Sequence, residues 1–241
     1  MAEDDPYWGV LSQDEYRNAA MDPERFAQFM ATGERFVADV FGLVGKTLDK
    51  DFAPRRVLDV GCGVGRLLIP MARLVKEAVG VDVAPRMLEL ARKHVQAAGL
   101  DNVTLVAGDD ELSAAEGEFD FVNSFIVLQH VPPQRGYRLI QSMIDKARKG
   151  GVVSVQVTYA KARSFLQHEA PTALYYRRDG GQIHDILDSG WRPPEGTINM
   201  FDYDLNQVMA QVSTAAGHPV IALPTNDDSH LGVHFVFCKA R

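Results

Sequence analysis

The stretch "VLDVGCGVGRL", residues 57–67, joins an apolar run, an acidic residue and three glycines at alternate positions. The run "VLDV" predicts the end of a buried strand, and the apolar residues after the glycines predict a helix. Between the two, glycines allow a tight turn in which a ligand can approach the backbone closely. The free N–H groups at the start of the helix face the same space. The stretch therefore predicts a ligand site at a strand–helix turn.

Working outward, apolar runs typical of strands alternate with stretches of helical periodicity. The predicted strands are "RRVLDV" (55–60), "EAVGVDV" (77–83), "NVTLVAGD" (102–109), one contained in "EFDFVNSFIVL" (118–128), and "GVVSVQVTYA" (151–160). The predicted helices between them are "GRLLIPMARLV" (65–75), "APRMLELARKHVQAAG" (84–99) and "QRGYRLIQSMIDKARKGG" (134–151). This alternation indicates an α/β fold with a parallel sheet covered on both faces.

The flanks extend this unit into a single domain over residues 1–241. Residues 1–50 predict a helical cap, residues 55–160 the ligand-binding core, and residues 160–200 an irregular insert that acts as a substrate lid. Residues 201–241 predict a helix over about 204–216 and two closing strands, "PVIALP" and "GVHFVFCKA".

Composition narrows the class of protein. The net charge is −7 and there is no Lys/Arg block, which disfavours a nucleic-acid partner. No apolar run reaches the roughly 18 residues of a membrane helix, and the acidic N-terminus lacks the features of a signal peptide. The two cysteines, Cys62 and Cys238, are too few for a disulfide framework or a cysteine-rich metal site. We expect a cytoplasmic protein that acts on a small molecule and does not associate with membranes.

Two acidic residues indicate the kind of ligand. Asp82 ends the second predicted strand, where a carboxylate in this topology takes the hydroxyls of a ribose. A nicotinamide or flavin dinucleotide needs a third small residue where this chain has Arg66. Asp59 precedes the turn, where a carboxylate suits a cation better than a pyrophosphate. A ribose with a positive, phosphate-free tail describes S-adenosylmethionine.

The chain resembles the class I S-adenosylmethionine-dependent methyltransferases. The resemblance covers roughly residues 55–160 and is carried, in the family's order, by "VLDVGCGVGRL", "GVDVAPRML", "LVAGDDEL", "FDFVNSFIVLQHVPP" and "LIQSMIDKARKGGVVSVQV". It implies a Rossmann-like fold with a seven-stranded, mostly parallel sheet, helices on both faces and an antiparallel closing strand. It also implies that the N-terminal residues around "FMATGERF" cap the cofactor.

The resemblance assigns residues to each part of S-adenosylmethionine. Backbone groups would hold the methionine part, Asp82 the ribose, apolar side chains the adenine ring, and Asp109 or Asp110 the adenine amine. The residues implied are Asp59, Gly61, Cys62, Gly63, Asp82, Val83, Met87, Asp109, Asp110, Asn123 and Ser124. Structural roles stay open for several: Asp82 as the cap of the next helix, Met87 as core, and Asp110 in a solvated loop.

Transfer of a methyl group to a hydroxyl or ammonium needs a base that removes the proton. The candidates at the carboxyl ends of the predicted strands are His130, Tyr159 and His230, with His130 first. A structural role for His130 remains open. In the insert, aromatic residues and the pair Arg177 and Arg178 are candidates for substrate contact. No metal site is predicted: the two histidines of "HLGVH" lie on a predicted strand, which separates them, and His184 with Asp188 on a short helix is a weak pair.

The sequence thus predicts a methyltransferase acting on an oxygen or nitrogen of a small metabolite. Carbon methylation or another use of the sulfonium stays open, as does a cofactor-binding but inactive partner subunit. A dinucleotide oxidoreductase is disfavoured by Arg66. The sequence does not define the oligomeric state, and a homodimer is compatible with it.

Overall fold

The structure, a computed structural model, describes residues 6–10, 22–161, 174–179, 182–187, 200–227 and 230–240. Its strands are β1 (Arg56–Val60), β2 (Glu77–Asp82), β3 (Val103–Ala107), β4 (Phe119–Ser124), β5 (Ala147–Lys161), β6 (Leu174–Asp179), β7 (Gln182–Leu187), β8 (Ala216–Asp227) and β9 (His230–Lys239). Its α-helices are α1 (Pro6–Val10), α2 (Pro23–Thr47), α3 (Leu68–Ala72), α4 (Pro85–Ala97), α5 (Pro133–Lys146) and α6 (Leu205–Ala215), with a short 3₁₀ turn at Leu128–His130.

A seven-stranded sheet in the order β3-β2-β1-β4-β5-β9-β8 forms the centre of the described chain. The strands from β3 to β5 pair in parallel, while β9 runs antiparallel to both β5 and β8. Six strands therefore share one direction and β9 opposes them. This arrangement confirms the predicted fold class, including the antiparallel closing strand.

Alternate residues of the strands serve two apolar clusters on opposite faces of the sheet. Val57 packs with the residues of α2, α3 and α4, whereas its neighbour Leu58 packs with those of α5 and α6. Strands that are buried on both faces explain why the central segments read as continuous apolar runs. The carboxyl ends of the parallel strands consequently share one edge, where an open α/β sheet binds ligands.

The long helix α2 lies within residues 1–50, the segment predicted to form an N-terminal cap. Asp22 caps it by accepting a 2.8 Å hydrogen bond from the Arg25 N–H, and Pro23 occupies its first turn. Its buried residues recur at helical spacing: Phe29, Gly33, Val37, Val40 and Val44. At Gly33 an added Cβ would collide with the carbonyl oxygen of Arg66, so the missing side chain lets α2 approach the turn after β1.

Some predicted boundaries were wrong. The helix predicted over 65–75 is reduced to α3. The helix predicted over 134–151 ends at Lys146, because β5 begins at Ala147, which pairs with Phe119 of β4. The insert is not irregular throughout, since β6 and β7 pair as an antiparallel hairpin. His184 therefore lies on a strand rather than on a helix, and Asp188 lies outside the described residues.

Among the residues that the structure describes, no helix is both long and apolar enough to cross a membrane.

Candidate active site

The glycine turn after β1 folds back onto the end of β2. The N–H groups of Gly61 and Cys62 both donate to the Val81 carbonyl oxygen, at 2.8 and 3.0 Å. Gly61 and Gly63 have φ angles of 74° and 53°, in the left-handed region that favours glycine. The turn therefore needs glycine at these positions for conformation as well as for ligand access.

Asp82 links this turn to the start of α4. One carboxylate oxygen accepts a 2.8 Å hydrogen bond from the Gly63 N–H, and the other accepts a 2.9 Å bond from the Ala84 N–H. Burial raises the pKa of the Asp82 carboxyl, while the backbone donors act in the opposite direction. The carboxylate thus has a structural task in ordering both turns. It also lines a cavity, so this task does not exclude ligand contact.

That cavity, of about 440 Å³, opens at the carboxyl edge of the sheet. A volume of this order is typical of small-molecule sites. Eight of the residues named from the sequence line it: Gly61, Gly63, Asp82, Val83, Met87, Asp109, Asp110 and His130. The wall is completed by residues from α1, the loops after β3 and β4, and α5, including Val10, Leu112, Phe125, Ile126, Val127, Arg135 and Leu139. The described part of the cavity is therefore mainly apolar, with carboxylates as its most numerous charged groups.

Four of the residues named from the sequence lie beneath this cavity rather than on its described wall: Asp59, Cys62, Asn123 and Ser124. Each is at most 4% exposed. Burial raises the pKa of the Cys62 thiol well above its usual value. In the described chain, no hydrogen-bond partner of the Ser124 hydroxyl is present.

A chain of buried polar side chains starts at Asp59 and crosses four neighbouring strands. Asn123 Nδ2 donates to Asp59 Oδ1 at 2.8 Å, and Ser154 Oγ donates to Asn123 Oδ1 at 2.9 Å. His234 Nε2 lies 2.8 Å from Ser154 Oγ. Because the single proton of Ser154 is already used, His234 Nε2 must donate, which defines the tautomer of the imidazole.

Burial shifts both ends of this chain toward their neutral forms. It raises the pKa of Asp59 to about 7, although the hydrogen bond from Asn123 and the nearby Arg66 lower it. It lowers the pKa of His234 to about 4. Sequence reasoning considered His234 only as a poor metal ligand and overlooked Ser154; isolated polar residues within otherwise apolar strands were the available signal.

The two acidic residues after β3 have different partners. The Asp109 carboxylate accepts a 2.8 Å hydrogen bond from the Ser113 N–H, which orders the loop. Asp110 does not lie in a freely solvated loop, because Arg135 grips its carboxylate with bonds of 2.8 and 2.9 Å and Arg138 lies 3.5 Å away. These arginines lower the pKa of Asp110.

Of the three candidate bases, the structure brings one to the described cavity. His130 lies there on the 3₁₀ turn. Tyr159 lies in a bulge where β5 shifts register against β9, and His230 is the first residue of β9. Neither of these two is on the described cavity wall.

Tyr203, which sequence analysis overlooked, shapes the turn that carries His130. Its buried hydroxyl lies 2.9 Å from the carbonyl oxygen of Leu128 and 2.8 Å from that of Val131. Nothing in the local sequence "FDYDL" distinguishes this tyrosine from a surface residue, because its partners are more than 70 positions away.

The short helix α1 covers the glycine turn. Val10 lines the cavity, and Tyr7 Oη lies 3.1 Å from His94 Nε2. His94 Nδ1 in turn lies 2.9 Å from the carbonyl oxygen of Val64, within the glycine turn. The hydrogen bonds of His94 thus join α1 to the glycine turn.

Within the described ranges, no three His, Cys, Asp or Glu side chains are grouped closely enough to hold a metal ion. The side chains of Arg177, Arg178 and His184 lie outside the part that the structure describes.

Known proteins share both the sequence and the architecture of this core. A family model described as a methyltransferase domain matches residues 57–151. The ubiquinone biosynthesis O-methyltransferases of Cereibacter sphaeroides and Methylocella silvestris are each 34% identical to the chain, over 114 and 119 residues. These alignments cover 47% of this chain and 45% and 46% of the relatives, so the chain matches less than half the length of each.

Solved structures share the fold over most of the chain. The magnesium protoporphyrin IX methyltransferase of Synechocystis, solved with bound S-adenosylhomocysteine, has a TM-score of 0.63 at 16% identity, covering 93% of this chain and 91% of that one. An amino pentose methyltransferase of Micromonospora echinaspora has a TM-score of 0.58 at 18% identity, covering 93% and 99%. These likenesses show that the chain has the fold of these methyltransferases, and that its residues 57–151 match the methyltransferase domain model.

Proposed function

We propose that the protein transfers a methyl group from S-adenosylmethionine to an oxygen or nitrogen of a small molecule. The observation that carries this proposal is the glycine turn. Its Gly63 N–H is bound by Asp82, and both residues face a cavity of about 440 Å³. The O-methyltransferase relatives and the structural neighbours support the same reaction class.

The chemistry of the cavity fits this cofactor in three ways. A Cβ at Gly61 would collide with Val127 and one at Gly63 would lie 2.8 Å from Val10, so side chains there would narrow the space. Apolar Val83, which is 75% exposed, and Met87 offer surfaces to a flat adenine ring. The carboxylates of Asp82 and Asp109 suit hydroxyl and amine donors.

The methionine end of the cofactor would lie over the glycine turn. Its ammonium group would be attracted by the carboxylate of Asp59, which lies just beneath the turn, beside Arg66. We propose backbone groups of Cys62, Asn123 and Ser124 as further contacts in this region. Burial keeps water away from these groups and strengthens their interaction with a charged ligand.

When bound, the sulfonium supplies an electrophilic methyl group. The protein must then hold the acceptor in line, exclude water and remove a proton if the acceptor is a hydroxyl or ammonium. His130 is the proposed base, because it is the candidate that lines the described cavity. Histidine is the side chain that most often serves as a general base in enzymes.

Calorimetric titration with S-adenosylmethionine, S-adenosylhomocysteine and NAD tests the cofactor. We expect binding of the first two at micromolar concentrations and none of NAD. Absence of binding by both sulfur ligands would overturn the proposal.

Mass spectrometry of products tests the reaction. The protein would be incubated with S-adenosylmethionine and a panel of phenols, carboxylic acids and amines. We expect a gain of one methyl group on one acceptor class. The protein could bind the cofactor, methylate no compound of this panel and methylate a carbon atom of a compound in a second panel. That result would contradict the assignment to oxygen or nitrogen.

A further inference from the structure

The loop after β4 holds a backbone conformation that its residue type disfavours. Ile126 has a φ angle of 60°, in the left-handed region. A β-branched side chain crowds the backbone there, so such a residue is a true outlier. Ile126 and its neighbours Phe125 and Val127 all line the cavity. The strain therefore lies in the wall of the proposed ligand site.

A buried amide on the adjacent strand holds this conformation. Gln156 of β5 is fully buried, and its side-chain Oε1 accepts a 3.2 Å hydrogen bond from the Ile126 N–H. The two residues are 30 positions apart in the chain, so the contact exists only when β4 and β5 are paired. Strained backbone persists where the surrounding structure over-determines it, and this hydrogen bond is such a constraint.

The nitrogen of the Gln156 side-chain amide is hydrogen-bonded to a residue of β8, on the far side of β9. Gln156 Nε2 donates to Thr225 Oγ1 on β8 at 3.3 Å. The amide crosses β9 at Gly232, where an added Cβ would lie 2.5 Å from Thr225 Oγ1 and 2.8 Å from Gln156 Nε2. Gly232 leaves room for this crossing, so three strands together determine where the amide points.

The loop that Gln156 holds connects two parts of the site. The side chain of Val127 packs against Gly61 of the glycine turn. The carbonyl oxygen of Val127 accepts a 2.9 Å hydrogen bond from the His130 N–H. A change in the Ile126 peptide would therefore displace both the wall over the glycine turn and the turn that carries His130.

We propose that Gln156 is a positioning residue that holds Ile126 in its left-handed conformation, so that the loop of residues 125–127 forms the cavity wall between the glycine turn and His130. The effect on ligand binding rests on the proposed function. The effect on the conformation of the loop does not rest on the proposed function, because it concerns a hydrogen bond that exists without a ligand.

A double-mutant cycle tests the proposal with Gln156→Leu, Ile126→Gly and the combination. Leu has a similar size but forms no hydrogen bond, and glycine adopts positive φ without strain. We expect Gln156→Leu to weaken S-adenosylhomocysteine binding about tenfold when Ile126 is present, and by less than about threefold in the Ile126→Gly background. An equal loss in both backgrounds would show a packing role only and overturn the proposal.

Hydrogen exchange supplies a readout that does not need the ligand. In the unliganded protein, Gln156→Leu should speed exchange in a peptide covering residues 125–127 and leave a peptide from β1 unchanged. If the wild type binds no S-adenosylhomocysteine, the proposed function fails, and exchange alone decides the positioning role. Unchanged exchange at residues 125–127 would overturn it.

Thr225→Val is the second variant, for use if Gln156→Leu does not fold. It leaves Gln156 in place and removes only the anchor of its amide nitrogen. We expect a weaker effect in the same direction, with faster exchange at residues 125–127. Exchange identical to that of the wild type would contradict the proposed anchoring.

Discussion

Asn123 donates a 2.8 Å hydrogen bond to the carboxylate of Asp59 across neighbouring strands, in the interior of the sheet and directly below the glycine turn. This bond, together with the nearby Arg66, offsets part of the cost of burying the carboxylate. Burial still dominates, and the pKa of Asp59 rises to about 7. The protein thus keeps a destabilising acid at the position where we propose that the cationic end of the ligand binds.

Replacement of this acid should stabilise the protein at alkaline pH. The pKa of Asp59 is 3.8 in the unfolded chain and about 7 in the folded protein, so the folded state binds the proton of this carboxyl more tightly. The stability that this proton contributes is complete below pH 3.8 and is lost as the pH rises to 7. Asp59→Asn cannot ionise. We therefore expect its free energy of unfolding to exceed that of the wild type by roughly 4 kcal/mol at pH 8, since the two pKa values differ by about three units and each unit corresponds to about 1.4 kcal/mol.

Urea unfolding at pH 5 and pH 8 measures this difference. The advantage of Asp59→Asn should shrink at pH 5, and its affinity for S-adenosylmethionine should fall. The same stability difference at both pH values would contradict the ionisation of Asp59 as its cause. Asp82 and Cys62 interact with the charge of Asp59, so Asp59→Asn removes these interactions as well.

The histidine at the other end of the polar chain should have the opposite pH signature. The pKa of His234 falls from 6.5 to about 4 on folding, so its contribution to stability is present above pH 6.5 and is lost as the pH falls toward 4. In His234→Phe the new ring can pack against Phe36 and Phe125, which lie 5.7 and 5.2 Å from the imidazole centre. We expect this variant to lose less stability than the wild type between pH 6.5 and 4.

The matched control is His218→Phe, because the side chain of His218 is exposed on β8. It should keep the wild-type pH dependence when both variants are unfolded with urea at pH 7 and pH 4.5. A wild-type slope in His234→Phe as well would show that another group causes the loss of stability in acid.

The proposed role of Asp82 in ribose binding can be separated from its role in the turn. S-adenosylhomocysteine and its 2′-deoxy analogue differ in one hydroxyl. If Asp82 binds that hydroxyl, the wild type should prefer the natural ligand by about tenfold or more, as expected for a hydrogen bond to a charged group. Asp82→Ala should bind both ligands weakly and with nearly equal affinity. If Asp82→Ala weakened the binding of both ligands equally and kept the preference for the natural ligand, the role of Asp82 would be limited to ordering Gly63 and Ala84.

The proposed base can be tested against the second histidine candidate. His130→Asn should lower kcat by about 100-fold while changing the Kd for S-adenosylhomocysteine by less than about threefold. His230→Asn is the comparison, because His230 does not lie on the described cavity wall. A larger loss of kcat in His230→Asn than in His130→Asn would reverse the assignment.

The parallel half of the fold and the glycine turn could be predicted because their signals are local. The run "VLDVGCGVG" contains the strand, the conformationally required glycines and the acid within nine residues. Asp82 follows from the next strand in the same way. Helix boundaries were less accurate, since pairing of Ala147 with Phe119 determines where α5 ends, and nothing near Ala147 in the sequence reports that pairing.

The buried polar contacts could not be predicted because they join distant segments. Ser154 and His234 are 80 positions apart, and Gln156 and Thr225 are 69 apart. Each becomes informative only once the strand order and register are known. A polar residue within an apolar strand shows that a partner is required, but the sequence does not name it.

The close approach of α2 to the glycine turn should make Gly33 intolerant of a side chain. An added Cβ there would collide with the carbonyl oxygen of Arg66, which is backbone and cannot move without shifting the turn. Gly45 lies in the same helix with no atom within 4 Å of an added Cβ. Alanine favours helix over glycine by about 0.5–1 kcal/mol, so Gly45→Ala should raise the thermal midpoint slightly. Gly33→Ala should instead lower it and weaken S-adenosylhomocysteine binding, because α2 must move away from the turn. Thermal unfolding and calorimetry of the two variants side by side check both effects. A Gly33→Ala protein that is stabilised and binds S-adenosylhomocysteine with the wild-type affinity would show that α2 need not lie this close to the glycine turn.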